Sequence, residues 1–180
     1  EIAEVSKKIG AEVPYLRPRE LAKDDSTAED TLKHVILWLW DNEKYKVDIV
    51  VFLQVTDLFK KPQWIDSAVR MLSEDPVLDS VFVAYPDHKH YWKKDNGYYK
   101  RLTKENYGPR QLKELVFRED TGLGCATRAS IILEHGRRLG DRVKIIENES
   151  FTVDVHSEFD LWLAEKLLKE RPEFKEYLIR

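Results

Sequence analysis

The chain has 180 residues, 42% of them hydrophobic, enough to bury one sizeable core, so a single domain spanning 1–180 is expected. With 33 acidic against 30 basic residues, a net charge of -3 and a pI near 6.0, the bulk charge favours neither nucleic acid nor an anionic membrane as partner. The longest apolar run, Val47 to Leu53, is broken by Asp48 and is too short to cross a bilayer.

Ile2, Val5 and Ile9 recur at helical spacing, and Gly10 follows as a helix-stopping glycine would. Glu1 and Glu4 stand where a secretory signal would be basic, so these residues are not expected to act as one. Val13 to Leu16 is a short extended piece, because Pro14 disfavours helix in the residue before it. Ser26 or Thr27 caps a helix running to about Glu43, with Glu29 near the reciprocal capping position. Asp48 to Gln54 is β-branched and apolar on both faces, the pattern of a buried parallel strand. Pro62 opens a helix to about Glu74, and Asp79 to Tyr85 is a second buried strand.

His88 to Glu119 is polar and aromatic, with Trp92, Tyr98, Tyr99 and Tyr107 among many charges. It reads as a long excursion holding a hairpin around Asn96-Gly97. Strand signals resume at Thr121 to Thr127 and at Val143 to Ile146, separated by a helix from Ala129 to about Arg137. Ser157 caps a last amphipathic helix to about Glu170, and Arg171-Pro172 breaks it before a short terminal helix. Strands separated by helices predict an α/β domain: three layers around a mostly parallel, Rossmann-like sheet. Sites in such sheets lie at the carboxyl ends of strands, which nominates the loops 54–61, 85–91 and 148–157.

The densest constellation is Asp154-Val-His156-Ser157-Glu158-Phe-Asp160. In an extended segment Asp154 and His156 point to the same side, and Asp160 follows one helical turn later, where it could orient the imidazole. A carboxylate and a second ligand in a strand-end loop suit a divalent metal; the plainer alternative is a capped helix with acids in its first turn. Arg17, in the polar loop before Ser26, could meet phosphate, or that loop is a solvated turn. Gln54-Val-Thr56-Asp57 ends a buried strand with polar groups facing a crevice. His88 and His90 are a close pair without a Cys/His partner pair, and read as loop rather than zinc site. Trp38 and Trp40 sit on a helix as core or dimer contacts, and Cys125 reads as a packed thiol. A single cysteine fits a reducing cytoplasm. Gly122-Leu-Gly-Cys-Ala-Thr127 half-matches a dinucleotide fingerprint but reads better as a strand that needs small residues.

Gly10 to Thr27 resembles, almost residue for residue, the GAEVPFxRPxxLAxDxS/T signature of the acylneuraminate (sialic acid) cytidylyltransferase family. Leu53 to Thr56 is similar to the start of that family's LQPTSPLR motif, Asp79 to Val83 to its DSVVSV strand, and Asp154 to Glu165 to its DIDTxxDLxxAE close. The resemblance implies a nucleotidyltransferase fold and transfer of CMP from CTP to the 2-hydroxyl of a nonulosonic sugar acid, releasing pyrophosphate. It also implies Mg²⁺ (or Mn²⁺) as cofactor and a homodimer, with the excursion 88–119 reaching toward the partner subunit. Carried over by position, Asp154 is the catalytic residue and, with His156, the metal site. Substrate contacts fall to Arg17, Ser26, Gln54, Thr56, Arg110 and Gln111.

The chain departs from the family in four places. Val55 to Lys60 replaces Pro-Thr-Ser-Pro-Leu-Arg, and Thr121 to Cys125 replaces Asn-Gly-Ala-x-Tyr. His156 stands at the second aspartate of Asp-Ile-Asp, and the family's N-terminal strand and nucleotide loop have no counterpart within residues 1–180. These departures keep two alternatives open: a non-catalytic homologue that binds or dimerises, and a nucleotidyltransferase for another sugar.

Overall fold

The computed structural model describes residues 1–103, 108–113, 115–150 and 152–177, with 110 and 175–177 through their backbone alone. In chain order the helices and strands are α1 (Ile2–Lys8), α2 (Ala28–Glu43), β1 (Ile49–Phe52), α3 (Pro62–Glu74), β2 (Ser80–Asp87), β3 (Trp92–Asp95), β4 (Tyr98–Arg101), β5 (Val116–Glu119), β6 (Cys125–Arg128), α4 (Ala129–His135), β7 (Val143–Glu147) and α5 (Glu158–Glu170). Short 3₁₀ helices occur at Arg19–Leu21, Arg110–Leu112 and Pro172–Tyr177. The chain divides into two compact units, Glu1–Asp48 with Ala129–Arg138, and Ile49–Arg128 with Leu139–Arg180. Among the described residues, no helix is long and apolar enough to cross a membrane.

In the first unit, Gly10 stops α1 at a φ of +94°, a conformation open to glycine at no steric cost. Thr27 caps α2 by accepting from the Asp30 amide at 3.0 Å, and its hydroxyl donates to Asp30 at 2.6 Å. The acid that meets Thr27 is Asp30, through the hydroxyl, while Glu29 pairs with Arg138 at 3.4 Å. Tyr15 stacks on Trp38 with 4.7 Å between ring centroids, and its hydroxyl bonds His34 Nδ1 at 2.8 Å. Trp38 is thus an internal contact of this unit, while Trp40 remains 53% exposed.

In the second unit the sheet is mostly antiparallel, which corrects the expectation of a mostly parallel, Rossmann-like one. β6 pairs antiparallel with both β1 and β2, and β5 pairs antiparallel with β2; only β7 lies parallel to β2 among the described pairings. The physical reason is that an apolar run reports burial of both faces, not direction. β1 and β2 do run the same way, since each opposes β6, but β6 lies between them. β5, Val116 to Glu119, was not anticipated as a strand in the composition of the excursion. The hairpin of β3 and β4 turns at Asn96-Gly97, both at positive φ, as the Asn-Gly pair predicts.

Strand alternation splits the core of this unit in two. On one face Val81 and Ala126 pack with Ala68 and Leu72 of α3 and with Leu78. On the other, Phe82, Ala84 and Cys125 pack with Phe52, Leu139 and Ile145, so Cys125 is a buried, packed thiol. Arg128 closes the frame by donating to the carbonyls of Leu72 and Leu78, each at 2.7 Å, satisfying a carbonyl at the end of α3. A third apolar cluster joins Phe59, Val153 and Ala164, with Leu58, Val155, Leu167 and Phe174 against it. This last cluster builds the candidate site.

Candidate functional site

The loops nominated at the strand ends meet at the carboxyl ends of β1, β2 and β7. Val153 and Val155 turn into the apolar cluster beneath α5, so alternation sends Asp154 to the other side. Across from it, Leu58 and Phe59 enter the same cluster. The Leu58 amide donates to the Val153 carbonyl at 2.8 Å and the Val155 amide to Thr56 at 2.9 Å. These two bonds bracket an antiparallel bridge between Asp57 and Asp154. The two acids are therefore a directly opposed, non-hydrogen-bonded pair, the register in which facing side chains come closest.

The turn after Asp57 is held tightly. Phe59 is 3% exposed and has a φ of 63°, an uncommon conformation for an aromatic residue, and Phe174 packs edge-on against its ring at 5.2 Å between centroids. This turn brings Lys60 Nζ back onto the main-chain carbonyls of Gln54 and Asp57. On the facing side, the Gln54 amide donates to the Gly122 carbonyl at 2.9 Å. A Cβ on Gly122 would fall 1.7 Å from Asp57 Oδ2 and 2.8 Å from Gln54 Oε1. Glycine at 122 is thus the close approach that lets Asp57 lie over the backbone, in keeping with the small-residue reading of this segment.

Gln54, Asp57, Asp120, Gly122, Arg118 and Asp154 line a cavity of about 340 Å³. A neighbouring cavity of about 580 Å³ is lined by Tyr85, Asp87, His88, Lys113 and others, and shares Arg118 and Thr152 with the first. Arg118 grips Asp120 with two bonds, at 2.9 and 3.0 Å, reaches Thr152 at 3.0 Å and lies over the Tyr85 ring at 5.2 Å. The carboxylate of Asp120 strengthens the hold of Arg118 on its proton. Burial, and then the charge of Asp154, push the Asp57 carboxyl above its ordinary range, with Lys60 opposing. Burial lowers the Lys60 ammonium, opposed by the two acids.

No known protein-family model matches this chain.

The expected site residues distribute unevenly. Asp154 and Gln54 line the smaller cavity, and Thr56 contributes its carbonyl to the bridge beside them. His156 Nε2 sits 2.6 Å from Asp154 Oδ2, so the expected pair is adjacent, with the imidazole on the carboxylate. Asp160 does not orient that ring. Its carboxylate takes the amides of His156 and Ser157 and the Ser157 hydroxyl, completing the capping box of α5. The Ser157 hydroxyl holds the Asp160 carboxyl below its usual range.

Arg17 and Ser26 belong to the first unit. Arg17 is exposed, and Ser26 closes its loop by bonding the Glu20 carbonyl at 3.2 Å. Gln111 is exposed on a 3₁₀ turn; the Arg110 side chain and Tyr107 lie outside the described residues. Arg118 and Asp120 carry no signal in the residue order, and Asp57 enters only as part of the polar strand end Gln54 to Asp57. Nothing in that order pairs Asp57 with Asp154. Among the described residues, no group of three or more His, Cys, Asp or Glu side chains is arranged to hold a metal ion. A site completed by substrate needs fewer, because Mg²⁺ is commonly held by one or two carboxylates together with substrate phosphates.

Proposed function

We propose that this chain is a nucleotidyltransferase domain of sugar activation, transferring CMP from CTP to a nonulosonic acid. The 2-hydroxyl oxygen of the sugar acid bonds to the α-phosphorus, the bond to the pyrophosphate oxygen breaks, and the hydroxyl proton is released. The observation that carries this reading is convergence. Gln54 and Asp57, Gly122, and Asp154 come from three distant segments aligned with the family's motifs, and border one polar cavity.

The oxygen-rich lining fits a hard divalent cation such as Mg²⁺ or Mn²⁺, with Asp154 as the residue that would hold it. Such an ion supplies neutralisation of the charge that develops on the transferring phosphoryl group. Arg118 offers a guanidinium at the junction of the two cavities, held in place by Asp120 and Thr152, where it can orient an anionic substrate. His156 fixes the Asp154 carboxylate by its 2.6 Å bond. The cytoplasmic, homodimeric setting belongs to the same proposal.

The test is pyrophosphate release from CTP on addition of a nonulosonic acid and Mg²⁺. Asp154→Ala should lower the rate by about a hundredfold or more while the circular dichroism spectrum is kept. No release with any nonulosonic acid, together with no CTP binding by calorimetry, overturns the reading. One observation favours a non-catalytic binding module instead: Lys60 is turned onto the main-chain carbonyls of Gln54 and Asp57 and does not line the cavity. CTP binding without release would support that module.

A further inference from the structure

We propose that Asp57 supplies a second carboxylate, beside Asp154, to a divalent cation at the end of β1, taking over the role that His156 leaves open. This inference rests on the nucleotidyl-transfer reading of the cavity and adds to it a ligand contributed by the opposite strand. Asp57 is 7% exposed and lines the cavity, yet among the described residues no hydrogen bond or ion pair reaches its carboxylate. A carboxylate that opens to the cavity and has no protein partner is available to a ligand, and here it also faces a second carboxylate across a non-hydrogen-bonded bridge. Like charges in that register repel, with Cβ atoms about 4.5–5.5 Å apart, close enough for both groups to share one ion.

The nearby cations offset this pair only in part and make no bond to the Asp57 carboxylate. Lys60 Nζ is held by the carbonyls of Gln54 and Asp57, and Arg118 by Asp120 and Thr152. His156 is not a substitute either, since its Nε2 is bonded to Asp154 Oδ2 at 2.6 Å. That bond orients the carboxylate, as groups behind a metal ligand commonly do. Imidazole suits softer metals, whereas two carboxylates plus substrate phosphate are a usual set for Mg²⁺. Gly122 completes the site by leaving Asp57 its place over the main chain.

Mn²⁺ is the probe, followed by loss of the free-ion signal in electron paramagnetic resonance, with and without CTP. The wild-type chain is expected to take one Mn²⁺, and Asp57→Asn and Asp154→Asn each to weaken it about tenfold or more, whereas His156→Gln, whose amide can still donate to Asp154, weakens it less than either. Asp57→Ser, which restores the residue of the aligned motif, repeats the loss should Asp57→Asn not fold. Wild-type affinity in both Asp57 variants with loss in Asp154→Asn overturns the proposal and leaves the transferase reading standing. No Mn²⁺ uptake by the wild type, with or without CTP, also overturns it; pyrophosphate release then judges the transferase reading separately.

Discussion

Asp79 and Asp57 are each 7% exposed, in the same unit, at opposite ends of its sheet, and their surroundings could hardly differ more. Asp79, just before β2, accepts from the Asp141 and Arg142 amides at 3.1 and 2.9 Å and from the Arg142 guanidinium at 2.9 Å. The Arg142 hydrogen bond, above all, pushes its carboxyl down to about 2. Asp57 has no such partner, and burial with the Asp154 charge pushes its carboxyl the other way. Burial of a charge is therefore a commitment to stability at one end of the sheet and to a ligand at the other. Which of the two applies is decided by hydrogen-bond partners, not by depth.

The sharpest test of the stabilising half is Asp79→Ala. It removes the shared acceptor of two amides and of the Arg142 guanidinium, and the expected loss is about 3 kcal/mol in urea unfolding. The pH dependence follows from the depressed pKa. Stability from Asp79 is fully present above the ordinary carboxylate pKa of about 4 and is lost as pH falls from there toward about 2. The variant should lack this acid limb; an unchanged limb would break the contrast.

A smaller effect probes the other end. Gly122→Ala places a methyl 1.7 Å from Asp57 Oδ2, so the carboxylate must move, at an expected cost of about 2 kcal/mol. Truncating Asp57 to Ala removes the obstruction and leaves only Gln54, whose exposed side chain can swing aside. The double variant should therefore be more stable than the sum of the single losses predicts, by about 1 kcal/mol. Strict additivity would mean that Asp57 does not depend on the gap at Gly122.

What could be read from the residues alone was local. Thr27, Pro62 and Ser157 open helices where expected, because caps and a first-turn proline act within a few residues. The strand-end loops were legible for a similar reason: buried runs end where polar residues begin. Strand direction was not, because β6 enters between β1 and β2 by tertiary pairing that no apolar pattern encodes. Asp160 likewise offered two partners at similar spacing, and the backbone amides won over the imidazole because the helix end must satisfy them. The opposition of Asp57 and Asp154 belongs to the same class as strand direction. It depends on the register of a single bridge between distant segments.

The mildest substitution bears most directly on that bridge. Asp57→Asn keeps the shape of the side chain, and with it the fit over Gly122, but removes one of two opposed charges. No hydrogen bond to the carboxylate is lost among the described residues, so the metal-free variant should be more stable at neutral pH by about 0.5 kcal/mol, roughly 1–2 °C. The sign again follows from the shift. With its folded pKa raised, Asp57 favours the fold most below the ordinary carboxylate range and loses that contribution as pH rises through the raised value. The advantage of asparagine should accordingly disappear in acid, the reverse of the behaviour at Asp79. Added Mn²⁺ should then invert the order: an ion bound only by the folded wild type stabilises it by about 2.7 kcal/mol at a hundred times its dissociation constant, and the variant gains far less. A metal-free Asp57→Asn chain less stable than the wild type would show a structural partner at Asp57, and the two buried aspartates would then be alike.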